Sequence, residues 1–222
     1  MANTATLALM VKDDPRDLSR MNYADNQFRN KVVVYGTSPT VWGTTFSVRY
    51  SGLGGTRYSM AVGGNTNGDF VDSNDLAYIY DPNDPETPQY LREGIQAILD
   101  NPNAEEHVKD YIRRNMGQVA ERNGGINGFY GVFDARLAKK FSFLGNHGLE
   151  ASIDVFNVAN LLKRDWGVGH NLSKQNLYTI RSFDQTTQRF VYNVNQGAGV
   201  SNPNASLNGN PYQIQLGLRY SF

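Results

Sequence analysis

Cysteine is absent from this 222-residue chain. That excludes disulfide scaffolds, thiolate-held zinc, haem-thiolate chemistry and thiol catalysis. Histidine is scarce: His107, His147 and His170 are the only three, too scattered for a His-rich metal site. No charge of one sign is in excess, since 21 Lys+Arg balance 21 Asp+Glu. The basic footprint of a nucleic-acid binder is therefore missing. No run approaches the ~18–20 consecutive apolar residues of a transmembrane helix. The stretch Leu7-Ala8-Leu9-Met10-Val11 has no basic residue before it and is too short for a signal-peptide core. Catalytic signatures are lacking too: there is no GxSxG, HExxH or P-loop, and Glu105-Glu106-His107 has no second His in register. The expectation is a protein that is not an enzyme and needs no cofactor.

What the chain does have is tyrosine (13), phenylalanine (11), glycine (22) and 24 asparagines, with a hydrophobic fraction of only 40%. This is a poor recipe for a conventional core. It suits a membrane β-barrel, whose strands alternate lipid-facing and lumen-facing residues and so read as only half apolar. Four segments alternate clearly. In residues 42–62, Trp42, Thr44, Phe46, Val48 and Tyr50 share a parity that Tyr58, Met60 and Val62 keep beyond the Gly52–Gly55 cluster. Residues 133–141 and 149–155 set Phe133, Ala135, Leu137, Leu149, Ala151, Ile153 and Val155 against charged neighbours. The final segment sets Tyr212, Ile214, Leu216, Leu218, Tyr220 and Phe222 against Gln213, Gln215, Gly217, Arg219 and Ser221. Further strands are expected at 31–37, 174–182 and 187–194.

Connection lengths suggest a topology. Outer-membrane barrels pair short periplasmic turns with long extracellular loops. If the last strand descends to the periplasm, then 195–210, 159–173, 64–127 and 1–30 are outer segments, while 183–186, 142–147 and Ser38-Pro39-Thr40 are periplasmic turns. This assignment requires 42–62 to be one long strand bent at its glycines rather than a hairpin. The long outer loop carries two helical patterns, 88–100 (Leu91, Ile95, Ile98, Leu99) and 104–120 (Val108, Tyr111, Ile112, Val119). Asn103 with Glu106 gives the second a capping-box-like start. The fold expected is all-β and membrane-embedded: an antiparallel transmembrane β-barrel segment of about seven strands. Seven is odd and too few to close a barrel, and an unpaired edge in lipid is prohibitive, so the segment is incomplete.

Several motifs support a family resemblance: residues 51–59 (SGLGGTRYS), 64–79 (GNTNGDFVDSNDLAYI), 122–125 (RNGG), 133–141 (FDARLAKKF), 154–162 (DVFNVANLL) with Trp166-Gly167, and 217–222 (GLRYSF). In order and spacing the chain resembles the C-terminal barrel region of TonB-dependent outer-membrane receptors, especially the Oar-like group, across nearly its whole length. The resemblance implies a bacterial outer-membrane location in a Gram-negative organism. It also implies a function as a C-terminal fragment of a receptor that, at full length, imports a scarce ligand with TonB-transmitted energy. No plug and no TonB-contacting segment is recognisable, so TonB and plug would be partners of a full-length receptor only. Outer-membrane lipid and the barrel-assembly machinery are the partners expected of this chain, with no nucleic acid. The alternatives are a self-standing outer-membrane surface or adhesion barrel, and a soluble β-rich ligand binder.

Seven charged residues, Arg49, Asp134, Arg136, Lys140, Glu150, Asp154 and Arg219, are expected on the lumen side, where mutual ion pairing competes with contacts to a plug or substrate. Trp42, Tyr50, Tyr212 and Tyr220 suit interfacial girdles. Tyr220 and Phe222 resemble the terminal aromatic signal read by barrel assembly. Asn65, Asn67, Asp69 and Asp75 are candidate calcium ligands, although Phe70 stands where the loop's glycine belongs and Leu76 where its last carboxylate belongs. The ligand-binding residues themselves are not identified.

Overall fold

The structure, a computed structural model, describes residues 23–24, 27–72, 74–143, 147–201 and 211–222. It is mostly antiparallel β-sheet with a few short helices, and none of its described helices is long and apolar enough to cross a membrane. The chain divides into two compact units.

One unit holds Phe28–Gly55, Gly128–Asn171 and the described residues after 210. Its body is a five-stranded sheet in the order β1 (Asn30–Thr37), β2 (Thr44–Gly54), β8 (Tyr130–Ser142), β9 (Gly148–Phe156) and β12 (Gln213–Ser221). Every neighbouring pair is antiparallel. Two connections are short, β1 to β2 and β8 to β9. The other two, β2 to β8 and β9 to β12, are long, and both depart from the opposite end of the sheet. Residues 144–146 and 202–210 lie outside the described residues.

The β1–β2 turn is not at Ser38-Pro39-Thr40. Pro39 cannot donate to the ladder, yet pairing resumes beyond it. Val41 and Thr44 exchange both backbone hydrogen bonds at 2.9 Å around Trp42 (φ 49°) and Gly43 (φ 75°). Two successive positive φ values form the two-residue hairpin loop that matches strand twist. A Cβ at Gly43 would stand 2.5 Å from the Lys140 carbonyl oxygen, so glycine is required there on two counts. Trp42 therefore tips the hairpin instead of opening a strand.

The second unit holds Thr56–Asn127 and Leu172–Ser201, with the described residues up to Gln27. Its strands are β3 (Arg57–Tyr58), β4 (Met60–Gly63), β5 (Tyr78–Ile79), β6 (Gln118–Val119), β7 (Gly125–Ile126), β10 (Gln175–Asp184) and β11 (Arg189–Val194); its helices are α1 (Gln89–Asp100) and α2 (Glu106–Arg114). Unlike the sheet, this unit has an ordinary interior. Tyr58, Met60, Ile79, Leu91, Ile95, Ile98, Val108, Tyr111, Ile112 and Leu177 are all fully buried. The apolar stripes of α1 and α2 face that core. At Gly94 a Cβ would meet Val194 Cγ2 at 2.5 Å, so α1 and β11 approach closely only because that position lacks a side chain.

The fold departs from several sequence expectations. Residues 42–62 form three pieces, β2, β3 and β4, which do not pair with one another as a hairpin at Gly52–Gly55 and of which only β2 belongs to the five-stranded sheet. The strands expected at 174–182 and 187–194 exist and form a hairpin, but they join β4 in a separate three-stranded sheet in which β10 and β4 are parallel. Leu177 and Tyr178, adjacent in sequence, are both buried, which a strand with one lipid face would not permit. The series of about seven strands is thus five in the main sheet. The second helix ends at Arg114, with Gly117 at φ 76° and β6 following; Val119 lies in β6. Asn103 does not cap α2, whose N-cap is Glu105. Its backbone N–H instead donates to Asn101 Oδ1 at 2.9 Å. The 1–30 segment lies mostly outside the described residues.

Candidate functional site

The five-stranded sheet has two unlike faces, and register fixes which residues share each. Ala135, Leu137 and Phe141 on β8 stand opposite Val155, Ile153 and Leu149 on β9. On β12, Ile214, Leu216, Leu218 and Tyr220 continue the rows from Val155, Ile153, Ala151 and Leu149. On the other side, Phe46, Val48 and Tyr50 of β2 face Leu137, Ala135 and Phe133, and Val34 of β1 faces Tyr50. The result is one largely apolar surface running across all five strands, with Lys139 between Leu137 and Phe141 on the same side of β8. Nothing described covers it: Leu216 is 77% exposed, Leu218 75% and Tyr220 58%. Soluble monomers rarely leave contiguous apolar patches above a few hundred Å² in water.

All seven of the charged residues singled out in the sequence lie on the opposite face. Arg49 pairs in register with Asp134, Arg136 with Asp154, and Glu150 with both Lys140 and Arg219. Arg136 reaches Asp154 Oδ1 at 3.1 Å and Glu150 Oε1 at 3.4 Å, and Lys140 Nζ lies 3.7 Å from Glu150. These four residues form a ladder of ion pairs, partly open to water, each contributing about 0–1 kcal/mol. Asp134 is engaged differently, because its Oδ1 accepts the backbone N–H of Asn157 at 2.9 Å. Arg49 and Arg219 have no ion-pair partner among the described residues.

The motif at 154–162 is explained by its asparagines. Asn157 takes a left-handed conformation (φ 54°) where β9 ends, and its side chain caps α3 (Val158–Leu162). Asn160 Nδ2 donates to the carbonyl oxygens of Arg164 at 2.6 Å and Trp166 at 3.2 Å, while its Oδ1 accepts the Tyr212 N–H at 3.2 Å. The turn after β9 is thus tied to the entry of β12. A comparable lock stands in the other unit. Asn123 (φ 53°) receives the Ser59 hydroxyl at Oδ1 (3.0 Å), and its own N–H donates back to Ser59 Oγ (2.8 Å).

No family model, curated protein or solved structure matches the chain.

The calcium candidates are engaged otherwise. Asp75 Oδ2 accepts both the N–H and the hydroxyl of Thr66 at 2.6 Å. Asn65 and Asn67 accept the N–H groups of Gly68 and Asp69, at 2.7 and 2.9 Å. Asp69 accepts from Val71 N–H and Asn74 Nδ2. Desolvation opposes ionisation of Asp69, but those hydrogen bonds outweigh it and leave its pKa below the ordinary aspartate value. Each of these four side chains accepts from the loop's own donors, so the loop is a self-capped Asx turn series. No group of three His, Asp or Glu suited to a metal occurs among the described residues.

At the short-turn end of the sheet, Tyr220 Oη lies 2.7 Å from His147 Nδ1, with the rings stacked, and Tyr220 also stacks on Phe222. Phe222 is 90% exposed. At the other end, Lys163 lies over the exposed Trp166 ring at 5.7 Å. The sequence carries no signal for that pair, since the two residues are only three apart in a turn.

Proposed function

We propose that this chain forms part of the wall of a bacterial outer-membrane β-barrel. More narrowly, we read it as the C-terminal portion of a TonB-dependent receptor of the Oar-like group, which at full length imports a scarce ligand with TonB-transmitted energy. The observation that carries the reading is the exposed apolar face, interrupted on β8 by Lys139 and backed by a charged one. Three features agree with it. Strands β2, β8, β9 and β12 are 11, 13, 9 and 9 residues long, and a tilted strand needs about 9–11 to cross a bilayer. Short and long connections segregate to opposite ends of the sheet. β1 and β12 have no outer neighbour among the described residues, and lipid does not tolerate an open sheet edge; further strands must flank them.

On this reading the charged face looks into the lumen, and Tyr220 and Phe222 supply the signal taken by the barrel-assembly machinery. Outer-membrane lipid covers the apolar face, and TonB and a plug domain act only on the full-length receptor. The chain carries out no catalysis. A second reading, a self-standing surface or adhesion barrel, draws on the fact that the long connections build a packed body with its own core. Outer-membrane fractionation with heat-modifiable gel mobility tests both. Recovery as a soluble monomer would overturn both, and a compact heat-modifiable species from this chain alone would favour the second.

A further inference from the structure

The unit with the ordinary core carries a cleft of about 680 Å³, the size of a small-molecule site. Its walls are aromatic. Tyr78 comes from β5, Tyr80 from just beyond it, Tyr90 from the first turn of α1, and Phe190 and Tyr192 from β11. The rings form a connected series: Tyr78 meets Tyr80 edge-on at 5.0 Å, Tyr80 meets the buried Tyr178 at 5.9 Å, and Tyr178 meets Tyr192 at 5.4 Å. Tyr78 is held in place because its hydroxyl donates to the Gly117 carbonyl at 2.9 Å. Yet Tyr78 and Tyr90 each remain 42% exposed. Nothing in the packing of the core calls for aromatic side chains left open in a concavity.

The lining charge is lopsided. Asp81, Asp84, Glu86 and Asp184 face a single cation, Arg189. The three aspartates are fixed in position because each accepts a turn N–H on Oδ1: Asn83 to Asp81 at 2.8 Å, Glu86 to Asp84 at 2.9 Å, Thr186 to Asp184 at 2.8 Å. Carboxylates beside tyrosine faces, themselves negative at the ring centre, attract positive charge from both sources. An anion would be repelled. An uncharged sugar would have to desolvate four carboxylates and would gain little from the field.

We propose that this cleft binds organic cations: ligands that join an ammonium group to enough apolar surface to lie against the tyrosines. The ammonium sits among the ring faces of Tyr78, Tyr80 and Tyr90, with Asp81, Asp84 and Glu86 supplying the field.

The test titrates the full chain with benzyltrimethylammonium, following tyrosine fluorescence and heat of binding, with benzyl alcohol and methyl glucoside as uncharged probes. The expected result is saturable binding of the cation with a dissociation constant of about 1 mM or tighter, weakening as salt screens the carboxylates. Tyr90→Ala should weaken it about 3–10-fold and Tyr90→Phe should restore it, since the ring face does the binding. Asp84→Asn with Glu86→Gln should also weaken it while leaving circular dichroism unchanged, because the asparagine oxygen keeps the turn. No cation binding at that concentration, equal binding by Tyr90→Ala, or tighter binding of methyl glucoside than of the cation would overturn the proposal.

Discussion

Replacing Leu216 by arginine separates a lipid-facing sheet from a water-facing one. Leu216 stands in the row Phe46, Leu137, Ile153, Leu216. At about 3.3 Å per residue it lies roughly 10 Å from one end of β12 and 17 Å from the other, near the middle of the span. If the apolar face meets hydrocarbon, an arginine at that depth costs about 2–4 kcal/mol. That is roughly a 30- to 700-fold loss in partition into the bilayer. If the face meets water, the same change removes a side chain already 77% exposed and costs no more than about 0.5 kcal/mol. The matched control is Gln215→Arg, one residue away on the charged face and opposite Asp154, where a cation is tolerated under either premise. The assay is flotation of the full chain with phospholipid vesicles across a lipid titration, with both variants and the parent run together. Equal partition of Leu216→Arg and Gln215→Arg, within about 0.5 kcal/mol, would refute the reasoning from the apolar face.

Other expected outcomes concern the second unit. Asn123→Ala should destabilise it by about 2–4 kcal/mol in chemical denaturation, since it removes the buried acceptor of the Ser59 hydroxyl and puts a β-carbon without a side-chain amide at φ 53°; Asn123→Gly should recover the backbone part. Gly94→Ala should cost about 1–3 kcal/mol by overpacking against Val194, visible as a lowered denaturation midpoint. His107 gives a pH dependence. Burial lowers its pKa, against the opposing pull of Glu105 and Asp110; its Nδ1 meets Tyr58 Oη at 3.0 Å and its Nε2 is buried with no hydrogen-bond partner among the described residues. The unfolded chain therefore binds the proton more readily, so this contribution to stability is complete above the unfolded value of about 6.5 and is lost as pH falls below it. Thermal unfolding at pH 7.5 and pH 5 should show the drop, and His107→Asn should flatten it.

Much of the sheet was legible because its physics is local. The parity of Phe46, Leu137, Ile153 and Leu216 is a period-two signal in each strand taken alone, and the same parity separated Arg136, Glu150 and Asp154 onto one face. The helix cores of α1 and α2 were equally plain from Leu91, Ile95, Ile98, Val108, Tyr111 and Ile112. Other features were not local. Whether β10 joins β9 or β4 depends on tertiary competition between two partners, and the sequence of either strand is silent on it. The clue lay in Leu177 and Tyr178, apolar on both parities, which marks a strand buried on two sides. Ser38-Pro39-Thr40 drew attention away from Trp42-Gly43, since a tryptophan at positive φ is a rare turn residue. The aromatic cleft draws on four separate stretches of chain and had no signature in any of them.

The parallel pairing of β4 with β10 has a kinetic consequence. Met60 meets Gln175, over a hundred residues further along the chain, and β8 and β9 are made in between. As synthesis proceeds from the N-terminus, the Met60-Ala61-Val62 strand can bond early to Asp75–Ala77 on one edge, but its other edge must wait for β10 through about half the chain. High contact order of this kind slows folding and lengthens the interval open to aggregation and proteolysis. A chain cut short before Gln175 would keep its β8–β9 hairpin but leave β4 bonded on one edge only, to Asp75–Ala77.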